Sequence, residues 1–402
     1  MMAKIIVEPR MRGFISLTAH PDGCATRVVK EIEIAKEFAL SDKPKNVLVI
    51  GSSQGYGLSS LLTSCFGYGD KTLGICFEKP PSANKTATAG WYNLVEAHKQ
   101  ADAESRELYT INGDAFSQQV KNTAAHFIKE KFGQIDLLIY SLAAPRRIDH
   151  DGNIWNSTLK PIGNKYEGYT FNLRNHSIVD AELEPASQDE IAHTVKVMGG
   201  EDWRDWIDFL QEEDLLSGHF RTVAYSYIGP EVSAAIYRDG TIGQAKKHLE
   251  STAKEMHKSF SNNDGGAWVS INTAVVTQAS SAIPAVPLYM SILFKIMKER
   301  NTHEKTIHQI GRLFRDHLRS NVSPKTDVNN LIRLDDLEML DDVQESVSEI
   351  WNRVSNETLY NLTDYEGYRE DFEQLFGFNI ASVDYTIPTE VERGLQLIEI
   401  ES

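Results

Sequence analysis

Short apolar runs alternate with amphipathic stretches between residues 45 and 300. The run at 47–50 is apolar at every position, which is typical of a strand buried on both faces. Further strands are predicted at 72–77, up to Asn112, and at 135–140, 221–228 and 267–271. Helices are predicted after Gly57, at 115–131 and 202–212, after Thr241 and beyond Pro287. Strands that alternate with helices predict an α/β fold with a doubly wound, Rossmann-type parallel sheet.

Three segments depart from this alternation. Residues 1–44 form a lead-in, with a β-prone hairpin and an amphipathic helix at 28–40. Residues 147–195 are rich in Gly, Asn and Pro, which predicts a hairpin-bearing insertion near the site. Residues 301–402 are mostly helical and acidic by pattern. Because no Pro/Gly/Ser-rich linker separates these parts, we interpret 1–402 as a single domain, an extended short-chain-dehydrogenase-like fold.

The charge balance changes which partners are expected. Asp plus Glu number 57 against 41 Lys plus Arg, a net charge of −16. Nucleic acid is not an expected partner, because phosphate neutralisation needs basic surface. The N-terminus lacks a signal-peptide run, and the most apolar stretch, 282–294, contains two prolines. With three cysteines at no metal-binding spacing, the sequence predicts a cytoplasmic protein without membrane or metal partners.

A glycine-rich turn follows the first core strand directly. Residues 51–57 read GSSQGYG, the GxxxGxG spacing of short-chain dehydrogenases rather than GxGxxG. Glycine is needed where the chain turns with positive φ or where a Cβ would block a phosphate. Taken alone, the triplet is also compatible with an ordinary tight turn. Its position between a strand and a helix favours a pyrophosphate bound at the helix N-terminus.

Carboxylates and small residues follow the next strands. Glu78 ends the second core strand, where a carboxylate accepts hydrogen bonds from both ribose hydroxyls and repels a 2′-phosphate. It is therefore a candidate for selecting NAD(H), and the alternative is an exposed charge before a turn. Asp114 could meet an adenine amino group, and the small residues of 141–144 allow a ribose to approach. Their shared location at strand ends is the evidence for a cofactor cleft.

Tyr237 and Lys246 are the candidates for the chemical step. Short-chain reductases place these residue types four positions apart, but here the separation is nine. On one continuous helix, nine residues correspond to about 900° of rotation and put the side chains on opposite faces. Asp239-Gly240 predicts a turn, and Thr241 is the predicted cap of a helix that holds residues 244–250. We therefore predict that Tyr237 lies outside the helix that carries Lys246.

A phenol and an ammonium suit the reduction of an enoyl thioester. Hydride addition to C3 leaves negative charge on the carbonyl oxygen, to which a phenol can donate a hydrogen bond or a proton. An ammonium can hold the nicotinamide ribose and lower the pKa of the phenol. A lone Tyr and a lone Lys are ordinarily packing and surface residues, so this interpretation depends on context.

That context is a resemblance to a known family. The runs GSSQGYGLSS, GICFEKP, GDAFS, YSLAAP, VKVMGGEDW, AYSYIGPE, IYRDGTIGQAK and VVTQASSAIPAVPLY resemble the trans-2-enoyl-CoA reductase family. This family includes the FabV class of enoyl-acyl-carrier-protein reductases. The similarity extends from RGFISLTAHPDGC to GYREDFEQLFGF, nearly the whole chain, and the Tyr-x8-Lys spacing is specific. Only the tail 386–402 is less familiar.

The resemblance implies roles for individual residues. Tyr237 would be the proton donor, Lys246 would contact NADH, and Tyr227 would lie beside the substrate. The cofactor would be lined by Gly51, Ser52, Ser53, Gln54, Gly55, Tyr56, Phe77, Glu78, Asp114, Ala115, Leu142, Ala143, Val275, Val276 and Thr277. The implied enzyme is a flavin-free, metal-free, mostly monomeric NADH-dependent reductase in fatty acid synthesis. Its substrate would be an enoyl thioester of CoA or of acyl carrier protein.

Two other functions stay open at the level of sequence. A carbonyl-reducing short-chain dehydrogenase would use the same phenol to protonate an alkoxide, but the Tyr-x3-Lys spacing of that class is missing at Tyr237. A non-catalytic NADH sensor would keep the fold without turnover, and the intact Tyr–Lys pair argues against it. The carrier of the substrate, CoA or acyl carrier protein, is also open.

Overall fold

The computed structural model describes residues 4–39, 41–43, 45–82, 85–261, 264–319 and 322–400. The strands, in chain order, are β1 (Lys4–Ile5), β2 (Met11–Arg12), β3 (Ile15–Ser16), β4 (Asn46–Ile50), β5 (Lys71–Cys76), β6 (Leu108–Asn112), β7 (Ile135–Tyr140), β8 (Arg146–Ile148), β9 (Ile154–Asn156), β10 (Tyr166–Asn172), β11 (Ser177–Leu183), β12 (Leu216–Ser226), β13 (Gly266–Ile271), β14 (Leu331–Arg333) and β15 (Thr389–Glu390).

The α-helices are α1 (Pro21–Glu37), α2 (Gly55–Leu62), α3 (Ala89–Ala103), α4 (Gln118–Lys131), α5 (Gln188–Met198), α6 (Glu201–Glu212), α7 (Thr241–Phe260), α8 (Gln278–Ser281), α9 (Val286–Glu299), α10 (Thr306–Leu313), α11 (Asp341–Trp351), α12 (Leu359–Leu362) and α13 (Tyr365–Gln374). Two π-helical segments, Thr63–Tyr68 and Phe314–Leu318, continue α2 and α10. Among the described residues, no helix combines the length and apolar character needed to cross a membrane.

A parallel sheet of seven strands, counted within the described residues, forms the centre of the protein. Its order is β14-β13-β12-β7-β4-β5-β6, and every neighbouring pair is parallel. The strand order reverses beside β4, so the carboxyl ends of β4 and β7 form a switch point at which such sheets bind ligands. The doubly wound parallel sheet predicted from the sequence is confirmed.

Helices cover both faces of this sheet. Val47 and Val49 of β4 point into a cluster with α1, α2, α3 and α10, because successive strand side chains face opposite sides. Leu48 and Ile50 point into the other cluster, which contains residues of α4, α6 and α7. Both faces are thus buried, which explains the unbroken apolar run of this strand.

Several element boundaries differ from the predictions. Helix α1 begins at Pro21 instead of 28, because His20 Nδ1 accepts a hydrogen bond from Gly23 N (3.2 Å) and Pro21 suits the first helical turn. Residue 40, the predicted end of this helix, lies outside the described residues. Helix α3 was not predicted, because Trp91 and Tyr92 near its start are weak helix formers that are stabilised here by burial.

The insertion at 147–195 contains the antiparallel pairs β8–β9 and β10–β11, followed by α5. The β10–β11 hairpin lies over the start of α9, where Ala285 N donates to Tyr169 O (2.9 Å). On its other side, Phe171 packs edge-to-face against Tyr365 of α13, with ring centroids 4.7 Å apart. The insertion therefore covers the region between the sheet and the C-terminal helices.

The C-terminal part is joined to the core at several points. Strand β14, which was not predicted, extends the sheet beyond β13. Helices α11 and α13 pack against α9. Strand β15 pairs with β1, and the residues after it reach the edge of the sheet, where Ile398 N donates to Thr110 O of β6 (2.9 Å).

A buried arginine stabilises the edge of the sheet at which β4 begins, opposite the carboxyl ends of the strands. Arg319 is 2% exposed. Its guanidinium donates to Asp42 Oδ2 (2.8 Å), Asp70 Oδ2 (2.8 Å) and Lys43 O (2.9 Å). Asp70 also accepts a hydrogen bond from Lys45 N (2.7 Å), just before β4. Arg319 thus ties the end of the α10 segment to the entry of the central strand.

We predict that Arg319→Met lowers the free energy of unfolding by about 3 kcal/mol or more, because two buried carboxylates lose their cation. Urea denaturation of the purified variant measures this change. The control is Arg353→Met, which removes an ion pair to Glu349 whose two side chains are 59% and 70% exposed. The control should change the same quantity by about 0.5 kcal/mol or less. Equal changes in the free energy of unfolding for the two substitutions would contradict the stabilising role of Arg319.

Candidate active site

The glycine-rich turn lies between β4 and α2, at the switch point of the sheet. Gly51 has φ +85°, and a Cβ on it would lie 2.1 Å from Ser141 O. A Cβ on Gly57 would lie 1.8 Å from Gly51 O. Both positions therefore require glycine. Gln54 precedes α2 without capping it by its side chain, so the first N–H groups of the helix can bind an anion.

Glu78 is held beside this turn. Ser53 Oγ donates to Glu78 Oε1 (2.6 Å). Glu78 N donates to Asn112 Oδ1 (2.7 Å), and Asn112 Nδ2 donates back to Glu78 O (2.9 Å). The ends of β4, β5 and β6 are thus joined by hydrogen bonds at one edge. Phe77, next to Glu78, is 78% exposed and leaves an aromatic face open to a ligand.

The other predicted cofactor residues lie at the same edge. Asp114 follows β6 and accepts a hydrogen bond from Phe116 N (3.0 Å). Ala115 is buried, and its carbonyl accepts from Trp206 Nε1 (3.1 Å). Leu142 and Ala143 follow β7, and Leu142 is near the turn, since its Cδ2 would be 3.3 Å from a Cβ on Gly51.

The segment after β13 approaches the glycine turn from the other side of the switch point. Val275 and Val276 are buried. Thr277 Oγ1 accepts a hydrogen bond from Ser280 N (3.0 Å) and so caps the short helix α8. A Cβ built on Gly55 would lie 3.5 Å from the Thr277 methyl group. The structure therefore brings Thr277 next to the glycine-rich turn.

Tyr237 lies in the irregular segment between β12 and α7, and α7 begins only at Thr241. The prediction that Tyr237 lies outside the helix of Lys246 is confirmed. Tyr237 is 6% exposed, and burial raises the pKa of its phenol well above the ordinary value. Gly240 is the extended capping residue of α7, and its N–H donates to Tyr237 O (3.2 Å). The prediction that Thr241 caps this helix is wrong, because Thr241 is its first helical residue and its hydroxyl donates to Thr158 O.

Lys246 reaches back from α7 to the carboxyl end of β12. Its Nζ donates to Tyr225 O (3.0 Å). Desolvation lowers the pKa of Lys246 to about 8, and Glu250 opposes this shift. The Tyr225 ring lies 5.5 Å from the Tyr56 ring of the glycine turn. The ammonium is therefore next to the predicted cofactor cleft.

Tyr227 connects Tyr237 to the same strand end. The rings of Tyr227 and Tyr237 pack edge-to-face with centroids 5.0 Å apart. Tyr227 follows β12 directly, two residues after the carbonyl that Lys246 contacts. The loop residue Tyr237 and the helix residue Lys246 are thus both attached to one strand end. This arrangement offers a phenol and an ammonium near the glycine-rich turn.

Sequence reasoning missed Glu338, which contacts Tyr227. The Glu338 side chain is fully buried, and its carboxylate accepts a hydrogen bond from the Tyr227 hydroxyl (2.8 Å). It lies in the acidic run DDLEMLDD, which by pattern resembles a solvated loop. No local signal distinguishes this glutamate from the acids around it.

The two tyrosines belong to the edge of a large apolar cluster. This cluster includes Tyr237, Ile236, Val276, Ile283, Val286, Tyr289 and Tyr368, and Tyr227 packs against it. Much of this wall comes from α9 and the residues just before it. An apolar wall beside a phenol can hold an acyl chain while the phenol contacts its carbonyl group.

Comparison with protein-family models gives three consecutive matches. Residues 6–83 match the NAD(P)H binding domain of trans-2-enoyl-CoA reductase. Residues 85–319 match the trans-2-enoyl-CoA reductase catalytic region. Residues 326–388 match a model described as the enoyl reductase FAD binding domain.

Residues 326–388, all of which are described, do not fit a flavin dinucleotide. A pyrophosphate is usually held by a glycine turn at a helix N-terminus. Here β14 is followed by Leu334-Asp335-Asp336, and Gly367 is the first glycine of the segment. Helix α11 begins with Asp341 and Asp342, whose negative charges would repel phosphate. No step of the chemistry is therefore assigned to a flavin.

Individual relatives agree with these models. An enoyl-[acyl-carrier-protein] reductase [NADH] of Pseudoalteromonas atlantica is 48% identical over 95% of this chain and 97% of its own. A trans-2-enoyl-CoA reductase [NADH] of Ruminiclostridium cellulolyticum is 46% identical over 98% and 99%. The crystal structure of Treponema denticola trans-2-enoyl-CoA reductase in complex with NAD matches with a TM-score of 0.92 and 44% identity, over 98% and 100% of the two chains. The chain therefore belongs to the trans-2-enoyl-CoA reductase family.

Proposed function

We propose that this chain reduces the trans-2 double bond of enoyl thioesters with NADH, as an enzyme of fatty acid synthesis. The main support for this proposal is that Tyr237 and Lys246 meet at one end of β12, near the glycine turn: Tyr237 packs on Tyr227, and Lys246 donates to Tyr225 O. The relatives named as NADH-dependent enoyl-acyl-carrier-protein and trans-2-enoyl-CoA reductases support the same reaction.

The cofactor would lie across the carboxyl ends of the strands. The N-terminus of α2 and residues 51–56 suit its pyrophosphate, and Glu78 suits the adenosine ribose. The contact between Ser53 and Glu78 supports this arrangement, because it places the acid next to the turn. The remaining contacts would come from Phe77, Asp114, Ala115, Leu142, Ala143, Val275, Val276 and Thr277.

The protein would contribute orientation and a proton. Bound NADH would supply a hydride to C3 of the substrate. Burial keeps Tyr237 protonated, so its phenol can donate to the thioester carbonyl oxygen as negative charge develops there. Lys246, when protonated, would hold the nicotinamide ribose and favour the phenolate that remains. The enol would become the saturated thioester when its O–H proton is lost and a proton is added at C2, and the phenolate would regain its proton from solvent. Tyr227 would line the substrate side of Tyr237.

We further propose that the whole chain acts as one domain and as a cytoplasmic monomer. The pairing of β14 with β13 supports one domain, because the C-terminal part completes the sheet. Three buried cysteines without disulfide partners support a reducing compartment. Size-exclusion chromatography with light scattering tests the monomer.

The direct test of the reaction mixes the protein with NADH and crotonyl-CoA and follows the loss of absorbance of the reduced nicotinamide. We expect turnover, with butyryl-CoA as the product. Acetoacetyl-CoA serves as the carbonyl substrate, and its reduction in place of crotonyl-CoA would favour a carbonyl-reducing dehydrogenase. NADH binding without turnover of either compound would favour a sensor. Comparison with crotonyl-acyl-carrier-protein identifies the preferred carrier.

The first substitution to test is Tyr237→Phe. Loss of the phenolic proton should lower kcat by about 100-fold or more, the usual contribution of a positioned general acid. The affinity for NADH, measured by fluorescence titration, should stay within about twofold, since the ring remains in place. Tyr109→Phe is the control, because that hydroxyl contacts only the exposed Glu107 among the described residues. Comparable losses of turnover and NADH affinity would contradict the role.

The second substitution is Glu78→Ala, which tests cofactor selection. Removing the carboxylate removes its repulsion of a 2′-phosphate, so the preference for NADH over NADPH in kcat/KM should fall by about 10-fold or more. Glu107→Ala removes an exposed acid that pairs with Lys71 and should leave the preference unchanged. An unaltered preference in Glu78→Ala would remove this residue from cofactor selection.

The pH dependence tests Lys246. Its folded pKa, about 8, means that the ammonium is present below pH 8 and is lost as the pH rises through that value. We therefore expect kcat/KM for NADH to fall above pH 8. Lys246→Arg keeps a cation in this range and should shift the alkaline limb upwards, whereas Lys246→Met should remove it. An identical alkaline limb in Lys246→Met would assign it to another group.

A further inference from the structure

Glu338 is a fully buried carboxylate to which the proposed chemistry gives no role. It lies five residues after β14, inside the segment 326–388. Its Oε1 accepts from the hydroxyls of Tyr227 (2.8 Å) and Tyr289 (2.6 Å). Its Oε2 accepts from Ala274 N (2.7 Å). One side chain thus joins the end of β12, the start of the 274–277 segment and helix α9.

The surroundings of Glu338 make its charge costly. No cation pairs with it among the described residues. Burial raises the pKa of Glu338 to about 7, and Asp335 adds to the rise, while Tyr289, Ala274 N–H and Tyr227 oppose it. The charge of Glu338 also contributes to raising the pKa of the partly buried Tyr56 phenol. A buried carboxylate without a cation is unfavourable for folding, so stability alone does not explain a glutamate at this position.

The direction of the Tyr227 hydrogen bond decides what this tyrosine can do. An ionised carboxylate only accepts hydrogen bonds, so the Tyr227 hydroxyl must donate its single proton to Glu338. Towards the substrate side, the Tyr227 oxygen can then only accept. Among the described residues, the Tyr237 hydroxyl makes no hydrogen bond, so its proton stays available. Of this tyrosine pair, Tyr237 is left as the donor.

We propose that Glu338 is a positioning residue of the reductase site: its carboxylate fixes the Tyr227 hydroxyl as a donor directed away from the substrate, holds the Tyr227 ring against Tyr237, and so leaves Tyr237 as the phenol that meets the thioester oxygen. This inference rests on the proposed enoyl reduction. It assigns to the C-terminal segment a part in the reductase site itself.

Through Tyr289 and Ala274, Glu338 also contacts helix α9 and the segment that follows β13. Tyr289 lies on α9 and is fully buried in the apolar cluster. Ala274 precedes Val275, the first of the proposed cofactor contacts after β13. Glu338 therefore fixes the position of Tyr227 relative to both the apolar residues of α9 and the segment 274–277. A change at this carboxylate should affect turnover more than binding of NADH.

The experiment compares Glu338→Gln with the wild-type protein in the crotonyl-CoA assay. A glutamine that keeps its oxygen on Ala274 N turns its NH2 group towards Tyr227 and Tyr289, which reverses the direction of both bonds. We expect kcat to fall roughly 10- to 100-fold, because the Tyr227 hydroxyl would then direct its proton towards the substrate and compete with Tyr237. The Kd for NADH should stay within about twofold. Glu96→Gln, a buried acid bound to Lys99 and Gln100, is the matched control and should keep wild-type kcat.

Three further measurements separate positioning from a general structural role. In a double-mutant cycle with Tyr227→Phe, the fold loss of kcat caused by Glu338→Gln should be at least about threefold smaller, because the hydroxyl that Glu338 orients is gone. Glu338→Asp, which keeps the charge, should recover part of kcat.

The wild-type kcat/KM for the enoyl substrate should fall as the pH decreases through about 7, since protonated Glu338 no longer accepts all three bonds. That acid limb should be absent in Glu338→Gln.

Each outcome supports or overturns the inference. Wild-type kcat in a folded Glu338→Gln, additive effects with Tyr227→Phe, or a flat wild-type profile below pH 7 would overturn it. If Glu338→Gln does not fold, as judged by its melting transition, the wild-type profile and Glu338→Asp decide. Failure of the wild-type protein to reduce crotonyl-CoA would instead refute the proposed function.

Discussion

The nine-residue separation of Tyr237 and Lys246 requires a break in the chain, because a continuous helix would point the two side chains in opposite directions. Gly240 provides the break, and Thr241 starts the helix anew. The insertion fixes this start, since Thr241 N donates to Lys160 O (3.0 Å) and Lys160 N donates to Thr241 Oγ1 (3.2 Å). A tyrosine from a loop and a lysine from a helix can then approach the same strand from different directions.

Strand β12 is the common support of this arrangement. Its end carries the Tyr225 carbonyl that Lys246 contacts and leads into Tyr227, which packs on Tyr237. Because β12 is a central strand between β7 and β13, its position is set by the whole sheet. The C-terminal segment adds Glu338 from 111 positions away in sequence, through the Tyr227 hydroxyl. The site therefore depends on segments from across the chain.

The sequence predicted those parts that are encoded locally. The apolar run of β4, the glycines at 51 and 57 and the turn before Thr241 each carry their own signal, and the structure has the expected elements there. The start of α1 was missed because its capping residue is His20, an unusual helix cap. The family resemblance, rather than local pattern, supplied Tyr227.

Glu338 and β14 could not be predicted, because their roles come from packing. Strand β14 has three residues, too few for a periodic pattern, and it is defined by its pairing with β13. The acids around Glu338 differ from it in their tertiary contacts: Asp336 is half exposed, and Asp335 is buried but paired with Arg333, whereas Glu338 is buried against Tyr227 and Tyr289 with no cation partner among the described residues. Burial of one residue in an acidic run is decided by tertiary contacts, which a single sequence does not display.

A crystal structure with NADH and the saturated product butyryl-CoA would show both contacts of the proposed site at once. We expect the Tyr237 hydroxyl to lie about 3 Å from the thioester carbonyl oxygen, as hydrogen bonding requires, and Lys246 Nζ to contact the nicotinamide ribose. A thioester carbonyl bound away from Tyr237, or a nicotinamide ribose out of reach of Lys246, would contradict these two roles.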